Sequence, residues 1–324
     1  MRLRSRFVAV LSALGLSLVL ANASAQGGGG NAPMIDARDS VEPLESINSA
    51  MYTGTDEGED PRDPDNAPGV GNGPGEIPLP AAITECPESL VIFVHGYNND
   101  AADAQAGTNA VAGALAANGY GGTVVGFSWN GDVDFEAAEQ SANLNGKILA
   151  NVLLEIKEIC PDTKLHLIGH SLGARVIMVA LACGGCACST QVVAPAVRYC
   201  VLNDPQCGGE FGGGLLDNTH SFKIWYNPED NALFWFKFLK GFCALGDIGT
   251  PNDHGGRVRN CCHQTKISDE DDHGIGDLLT GGTLAACLAG HINQADAEAA
   301  EAAQGEGEGG EGEGEGGGEG GEDE

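Results

Sequence analysis

The chain has 324 residues, with 16 lysines and arginines against 46 aspartates and glutamates, for a formal net charge of −30. No basic stripe is available to neutralise phosphates, so nucleic acid and anionic lipid surfaces are excluded as partners. The charge is uneven: residues 296–324 carry twelve acids and no base, and residues 26–80 carry eleven acids against two arginines. A hydrated acidic surface of this kind suits high salt, where screening removes self-repulsion.

The first segment reads as a targeting signal over residues 1–25. Arg2, Arg4 and Arg6 precede the apolar run Phe7–Leu20, and Ala23-Ser-Ala25 supplies small residues for cleavage. That run is short for a membrane span, and no other approaches about 18 apolar residues. A secreted, periplasmic or cell-surface protein with no stable span after cleavage is expected. Residues 26–81 are rich in Gly, Pro, Asp and Asn and read as a disordered acidic linker, within which Met34-Ile35 and Val41–Ile47 offer short docking segments. A folded domain is expected over 82–295, and a disordered Gly/Glu-rich acidic tail over 296–324.

Within the domain, Leu90–Val94 is wholly apolar, as in a strand covered on both faces, and runs into His95-Gly-Tyr-Asn-Asn-Asp100. An alanine-rich helix over Asp103–Asn118 and a strand over Thr123–Ser128 follow. Leu144, Ile148, Leu149, Val152, Leu153 and Ile156 mark one face of a second helix, ended by Cys160-Pro-Asp162. Lys164 opens another strand that leads into Gly169-His-Ser-Leu-Gly173 and a helix from Ala174. Later strands are expected at Val197–Leu202, Phe222–Tyr226 and Thr265–Ile267, with a closing helix over Asp277–Ala289. Strands alternating with helices predict an α/β fold: a mostly parallel sheet with helices on both faces and sites beyond the strand C-termini.

Gly169–Gly173 matches G-x-S-x-G in its strand–turn–helix context, which holds a serine in a strained turn above a sheet. Ser171 is the expected nucleophile. A serine alcohol needs an imidazole to take its proton and a carboxylate to fix that imidazole, following in the order Ser, acid, His. Asp230, past the Phe222–Tyr226 strand, is the favoured acid, with Glu229 and Asp204 as rivals. His273, directly before the closing helix, is the favoured base over His166, His254, His263 and His291. His170 reads as support for the turn and His95 as a loop brace. The oxyanion donors are expected to be the backbone N–H groups of Tyr97 and Leu172. Leu233–Leu239 is either an acyl-pocket or lid segment, or a core helix.

His95-Gly96 with Gly169-His-Ser-Leu-Gly173 resembles the α/β-hydrolases of the lipase/esterase superfamily. More narrowly, Phe93–Asp100, Gly126-Phe-Ser-Trp129, His170–Arg175, Asp230-Asn-Ala-Leu233 and Ala244-Leu-Gly246 resemble exported hydrolases of salt-adapted microbes, whose substrates are generally unassigned. The resemblance implies an α/β-hydrolase fold, Ser171, Asp230 and His273 as a triad, and neither cofactor nor metal. The expected activity is hydrolysis of small-molecule or lipid carboxylic esters by a serine carboxylesterase or lipase. Amide or acyl-transfer chemistry, and a noncatalytic binding role on the same fold, are the alternatives. Eleven cysteines in an exported chain predict disulfides with at least one thiol left over. Cys183-Gly-Gly-Cys186-Ala-Cys188 also has metal-ligand spacing. The acyl group, the disulfide pairing and the oligomeric state stay open.

Overall fold

The computed structural model describes residues 30–40, 77–198, 214–228, 230–240, 243–250, 258–262, 273–280 and 282–307. In chain order the elements are β1 (Met34–Asp36), α1 (Ala81–Thr84), β2 (Ser89–Val94), α2 (Ala101–Ala117), β3 (Thr123–Ser128), α3 (Phe135–Ile159), β4 (Lys164–His170) and α4 (Gly173–Ala182). They continue with β5 (Ala187–Val193), α5 (Gly214–Asp217), β6 (Thr219–Tyr226), α6 (Asn231–Lys240), α7 (Leu245–Ile248), β7 (Val258–Cys262), α8 (Ile275–Leu279) and α9 (Thr283–Gly307).

The strands form one sheet in the order β1-β3-β2-β4-β5-β6-β7, and every neighbouring pair is parallel. β2 is an interior strand, and all six of its residues are buried. Its side chains alternate between two cores, as the pleat requires. Leu90, Ile92 and Val94 point into a core with the α3 stripe Ile148, Leu149, Val152, Leu153 and Ile156 and with Val176–Leu181 of α4. Val91 and Phe93 point the other way, against Val111 and Leu115 of α2, Leu278 and Leu279 of α8, and Leu284, Leu288 and Ile292 of α9.

Two long helices start at aspartate side-chain caps. The Asp100 carboxylate accepts the amides of Ala102 and Asp103 (2.7 and 2.9 Å) to open α2, and Asp134 accepts Ala137 N–H (3.0 Å) to open α3. From β2 the chain crosses to β3 on one side, whereas β4 lies on the other. The connections therefore diverge at the C-terminal ends of β2 and β4, opening a crevice where sites in such sheets form.

Several expectations are revised. The described strand beside β4 is β5 (Ala187–Val193), ahead of the expected Val197–Leu202; of that later stretch Arg198 makes an isolated bridge to Ala244, and residues 199–202 lie outside the described residues. β5 escapes notice because its centre is polar. Ser189 Oγ meets His166 Nδ1 (2.8 Å), the Thr190 and Thr219 hydroxyls meet at 3.0 Å, and the Gln191 side chain donates to the Leu288 carbonyl (3.2 Å) and accepts from the Trp225 indole (3.2 Å). Satisfied in this way, polar groups are tolerated in a buried strand.

Thr265–Ile267 lies outside the described residues, and the last described strand is Val258–Cys262. The closing helix is broken into α8 and α9 at Gly282, whose φ is +78°, a left-handed conformation that suits glycine. α9 does not stop at Ala295. Asp296, midway along α9, accepts a hydrogen bond from His166 Nε2 (2.9 Å), tying the helix to the middle of the sheet. Met34–Asp36 docks as the edge strand β1, and Val41–Ile47 lies outside the described residues.

Cys86 and Cys160 form a disulfide, and Cys183, Cys186, Cys188, Cys243 and Cys287 are free thiols. Among the described residues no helix is long and apolar enough to cross a membrane.

Candidate active site

β4 ends at His170, and Ser171 takes a left-handed φ of +52° before α4 begins at Gly173. For a serine this conformation is strained, and the surrounding bonds hold it. Ser171 N–H donates to the Val193 carbonyl at the end of β5 (2.9 Å), and the Ser171 carbonyl accepts the amides of Ala174 (3.2 Å) and Ala196 (3.1 Å). Two glycines allow the close approach. A Cβ on Gly173 would strike the carbonyl oxygens of Val94 and His95, and one on Gly96 would lie 2.9 Å from Ser171 Cβ. The loop after β2 thus runs directly against the serine.

Asp230 follows β6 on a turn closed by its own N–H to the Asn227 carbonyl (3.2 Å). Its Oδ1 accepts Leu233 N–H (3.1 Å), capping α6, and its Oδ2 accepts His273 Nδ1–H (2.7 Å). His273 Nε2 lies 2.8 Å from Ser171 Oγ. Burial pushes the Asp230 carboxyl upward in pKa, but its hydrogen bond and charge interaction with His273 and the Leu233 amide outweigh this and hold it below its ordinary value. An ionised carboxylate only accepts. The His273 proton must then sit on Nδ1, leaving the Nε2 lone pair to accept the Ser171 hydroxyl proton.

His170 is placed to steady this unit. Its Nε2–H donates to the His273 backbone carbonyl (2.7 Å), and the two rings lie 5.0 Å apart. Burial, followed by the charge of His273, pushes its pKa down to about 3, so the ring is neutral. His95 is also neutral, pushed down to about 4 chiefly by burial. It accepts Trp129 N–H on Nε2 (3.1 Å), its Nδ1 meets the Gly96 carbonyl (2.9 Å), and the Trp129 indole donates back to the His95 carbonyl (2.9 Å).

The sequence signals for both histidines were modest: one is the variable residue of G-x-S-x-G and the other opens the loop after β2. Among the described residues no acceptor pairs with the backbone N–H of Tyr97 or of Leu172. Beside them an aromatic wall runs from Tyr97 to Phe135 (5.2 Å, edge to face) and on to Phe236 of α6 (5.9 Å). Leu233 and Phe236 are buried in the core, whereas Phe238 is 73% exposed, so α6 is partly a core helix and partly a surface one.

The rival residues are placed elsewhere or lie outside the described residues. His166 pairs with Ser189 and Asp296, and His291 Nε2 meets Ser221 Oγ (3.1 Å). Glu229, Asp204, His254 and His263 fall outside the described residues.

A family model described as "Alpha/beta hydrolase of unknown function (DUF900)" matches residues 81–258, more than half of the chain. The chain belongs to this α/β-hydrolase family. The match takes in the loop after β2, Ser171 and Asp230, and it ends ahead of His273. No curated protein matches the chain significantly. Solved structures similar to it include a cutinase from Trichoderma reesei in complex with a phosphonate inhibitor, at 16% identity and TM-score 0.33, covering 65% of this chain and 77% of the cutinase. TT1662 from Thermus thermophilus is similar at 16% identity and TM-score 0.41, covering 64% and 90%. A lipase-esterase related protein from Clostridium acetobutylicum is similar at 10% and 0.35, covering 64% and 94%. At these values the assignment rests on the family match and the sheet order.

Proposed function

We propose that the protein is an exported serine hydrolase that cleaves carboxylic esters through an acyl-enzyme, with Ser171 as nucleophile, His273 as general base and acid, and Asp230 as the carboxylate that orients it. The observation that carries this reading is the continuous chain of hydrogen bonds from Asp230 through His273 to Ser171 Oγ, at 2.7 and 2.8 Å. His273 Nε2 takes the serine proton as Oγ attacks the ester carbonyl, and the ionised Asp230 stabilises the imidazolium that forms. The amides of Tyr97 and Leu172 receive the oxyanion. His273 then hands its proton to the leaving alkoxide. Water, deprotonated by the same nitrogen, releases the acid and restores the serine.

The wall of Tyr97, Phe135 and Phe236 supports an apolar acyl or alcohol group, lipid esters included. The basic and apolar start of the sequence supports export, as does the Cys86–Cys160 disulfide, because such bonds persist in oxidising compartments. The reading is tested by fluorophosphonate labelling and a p-nitrophenyl ester chain-length panel on wild type and Ser171→Ala. Labelling and turnover confined to the wild type are expected; equal labelling of both would remove the nucleophile assignment.

A further inference from the structure

The loop from His95 to Asp100 is fixed by several parts of the chain. At one end His95 is locked to Trp129, and at the other Asp100 caps α2. Between them, Asn98 has a left-handed φ of +56°, and its N–H donates to the Gly131 carbonyl (2.9 Å). The remaining tie comes from far away in sequence. Arg38, just past β1, sends Nη2 to the Asn99 carbonyl (3.0 Å) and Nε to Ser128 Oγ at the end of β3 (2.6 Å). Ser128 is buried, so this arm is anchored in the sheet. The guanidinium is close enough to act on both ends of the loop. It adds to the burial that pushes His95 down, and to the Asp103 and Ala102 amides that hold Asp100 low.

The segment that carries Arg38 is itself sewn down. Ala37 N–H donates to the Ser128 carbonyl (2.8 Å), Ala32 N–H to Asn109 Oδ1 (2.8 Å), and Gln105 Nε2 to the Ala32 carbonyl (2.9 Å). These bonds register the segment on β3 and α2 together, so the guanidinium is delivered to one place. A fork of N–H donors bridging a buried hydroxyl and a loop carbonyl is a task that arginine performs and a single ammonium does not. A charge-assisted bond to a backbone carbonyl also holds better than a neutral one.

We propose that Arg38 is a positioning residue of the active site: by gripping the Asn99 carbonyl against Ser128, it sets the backbone of the loop that carries the Tyr97 amide beside Ser171. This rests on the proposed serine-hydrolase reading. It makes the Met34–Arg38 segment, which lies in a compositionally linker-like region, part of the reacting site. The oxyanion exists only in the transition state and the intermediates around it, so a slackened donor lowers kcat and leaves KM nearly unchanged.

The test uses the mature full-length chain with Arg38→Ala, Arg38→Met and Arg38→Lys. Steady-state kinetics on p-nitrophenyl butyrate and amide hydrogen exchange over residues 96–100 are the two readouts. Arg38→Ala and Arg38→Met are expected to lower kcat about tenfold or more with KM within about twofold, since small misplacements of catalytic groups carry costs of this order or larger. Arg38→Lys should recover part of the loss, and amide exchange at residues 97–100 should accelerate in the order Lys, then Met and Ala. An unchanged kcat, a loss carried mainly by KM, or unaltered loop exchange overturns the proposal. If the wild type shows no Ser171-dependent turnover, the hydrolase reading fails instead, and the exchange comparison still decides whether Arg38 holds the loop.

Discussion

Replacing Asp230 by Asn keeps the side chain's shape and changes what it offers His273. In the wild type, Oδ1 accepts Leu233 N–H at 3.1 Å and Oδ2 accepts His273 Nδ1–H at 2.7 Å. An asparagine has one oxygen, and the α6 cap keeps it facing Leu233, because the reverse orientation would set an NH2 against the Leu233 amide. The NH2 group then faces His273 Nδ1, which must accept, so the ring proton moves to Nε2 and points at Ser171 Oγ. No lone pair remains to take the serine proton.

Losing a hydrogen bond to a charged group accounts for about 1.5–3 kcal/mol, or roughly 10- to 150-fold in rate. The wrong tautomer compounds this, and triads altered in this way fall by about 10⁴-fold. Asp230→Asn should therefore lower kcat/KM on p-nitrophenyl butyrate by about 10³- to 10⁴-fold, with a melting temperature close to wild type by circular dichroism. A folded variant within tenfold of wild type would refute the assignment of Asp230 as the orienting carboxylate.

His170→Phe removes the N–H that holds the His273 carbonyl at 2.7 Å. A neutral hydrogen bond is worth about 0.5–1.5 kcal/mol, so kcat should fall about 2- to 10-fold with KM little changed; wild-type kcat would show that His273 needs no such brace. Replacing both Cys86 and Cys160 by serine frees a loop with a sequence separation of 74, and denaturant titration should register a loss of about 2–4 kcal/mol. That bond precedes β2 and follows α3, away from the strand ends that carry Ser171, so kcat should hold; a matching fall in kcat would contradict the separation.

Acid should destabilise the fold through its buried imidazoles. His95, His170 and His291 are pushed down to about 4, 3 and 3, mainly by burial, against about 6.5 when unfolded. In the window between, the unfolded chain binds protons that the native state refuses, so stability rises with pH. The contribution is complete above about pH 6.5 and drains away as pH falls, toward about 4 for His95 and about 3 for His170 and His291, at up to about 1.4 kcal/mol per pH unit for each histidine. Melting temperatures measured from pH 7 to 4.5 should drop, and less steeply in His291→Asn. A flat wild-type profile, or equal slopes in the two proteins, would count against it.

Local signals were enough for much of the fold. The wholly apolar Leu90–Val94, the 3.6-residue stripe from Leu144 to Ile156 and the glycine-flanked Ser171 each declare their conformation within a few residues, because covered strands, amphipathic helices and strained turns impose their own residue types. Asp230 and His273 could be named only by their order along the chain, since a carboxylate and an imidazole have no local signature. β5 stayed hidden because its polar centre is satisfied by partners far away in sequence.

Residue type and short-range spacing sufficed for the α/β class and for the turn at Ser171, since both are written within a few neighbouring positions. Long-range packing brings Asp230, His273 and Ser171 within hydrogen-bonding distance, lets His170 grip the His273 backbone, and carries Arg38 to the loop beside the serine. Those contacts span from 43 to 103 residues of chain. They form because the parallel sheet brings its strand ends to one edge, which no local pattern can encode.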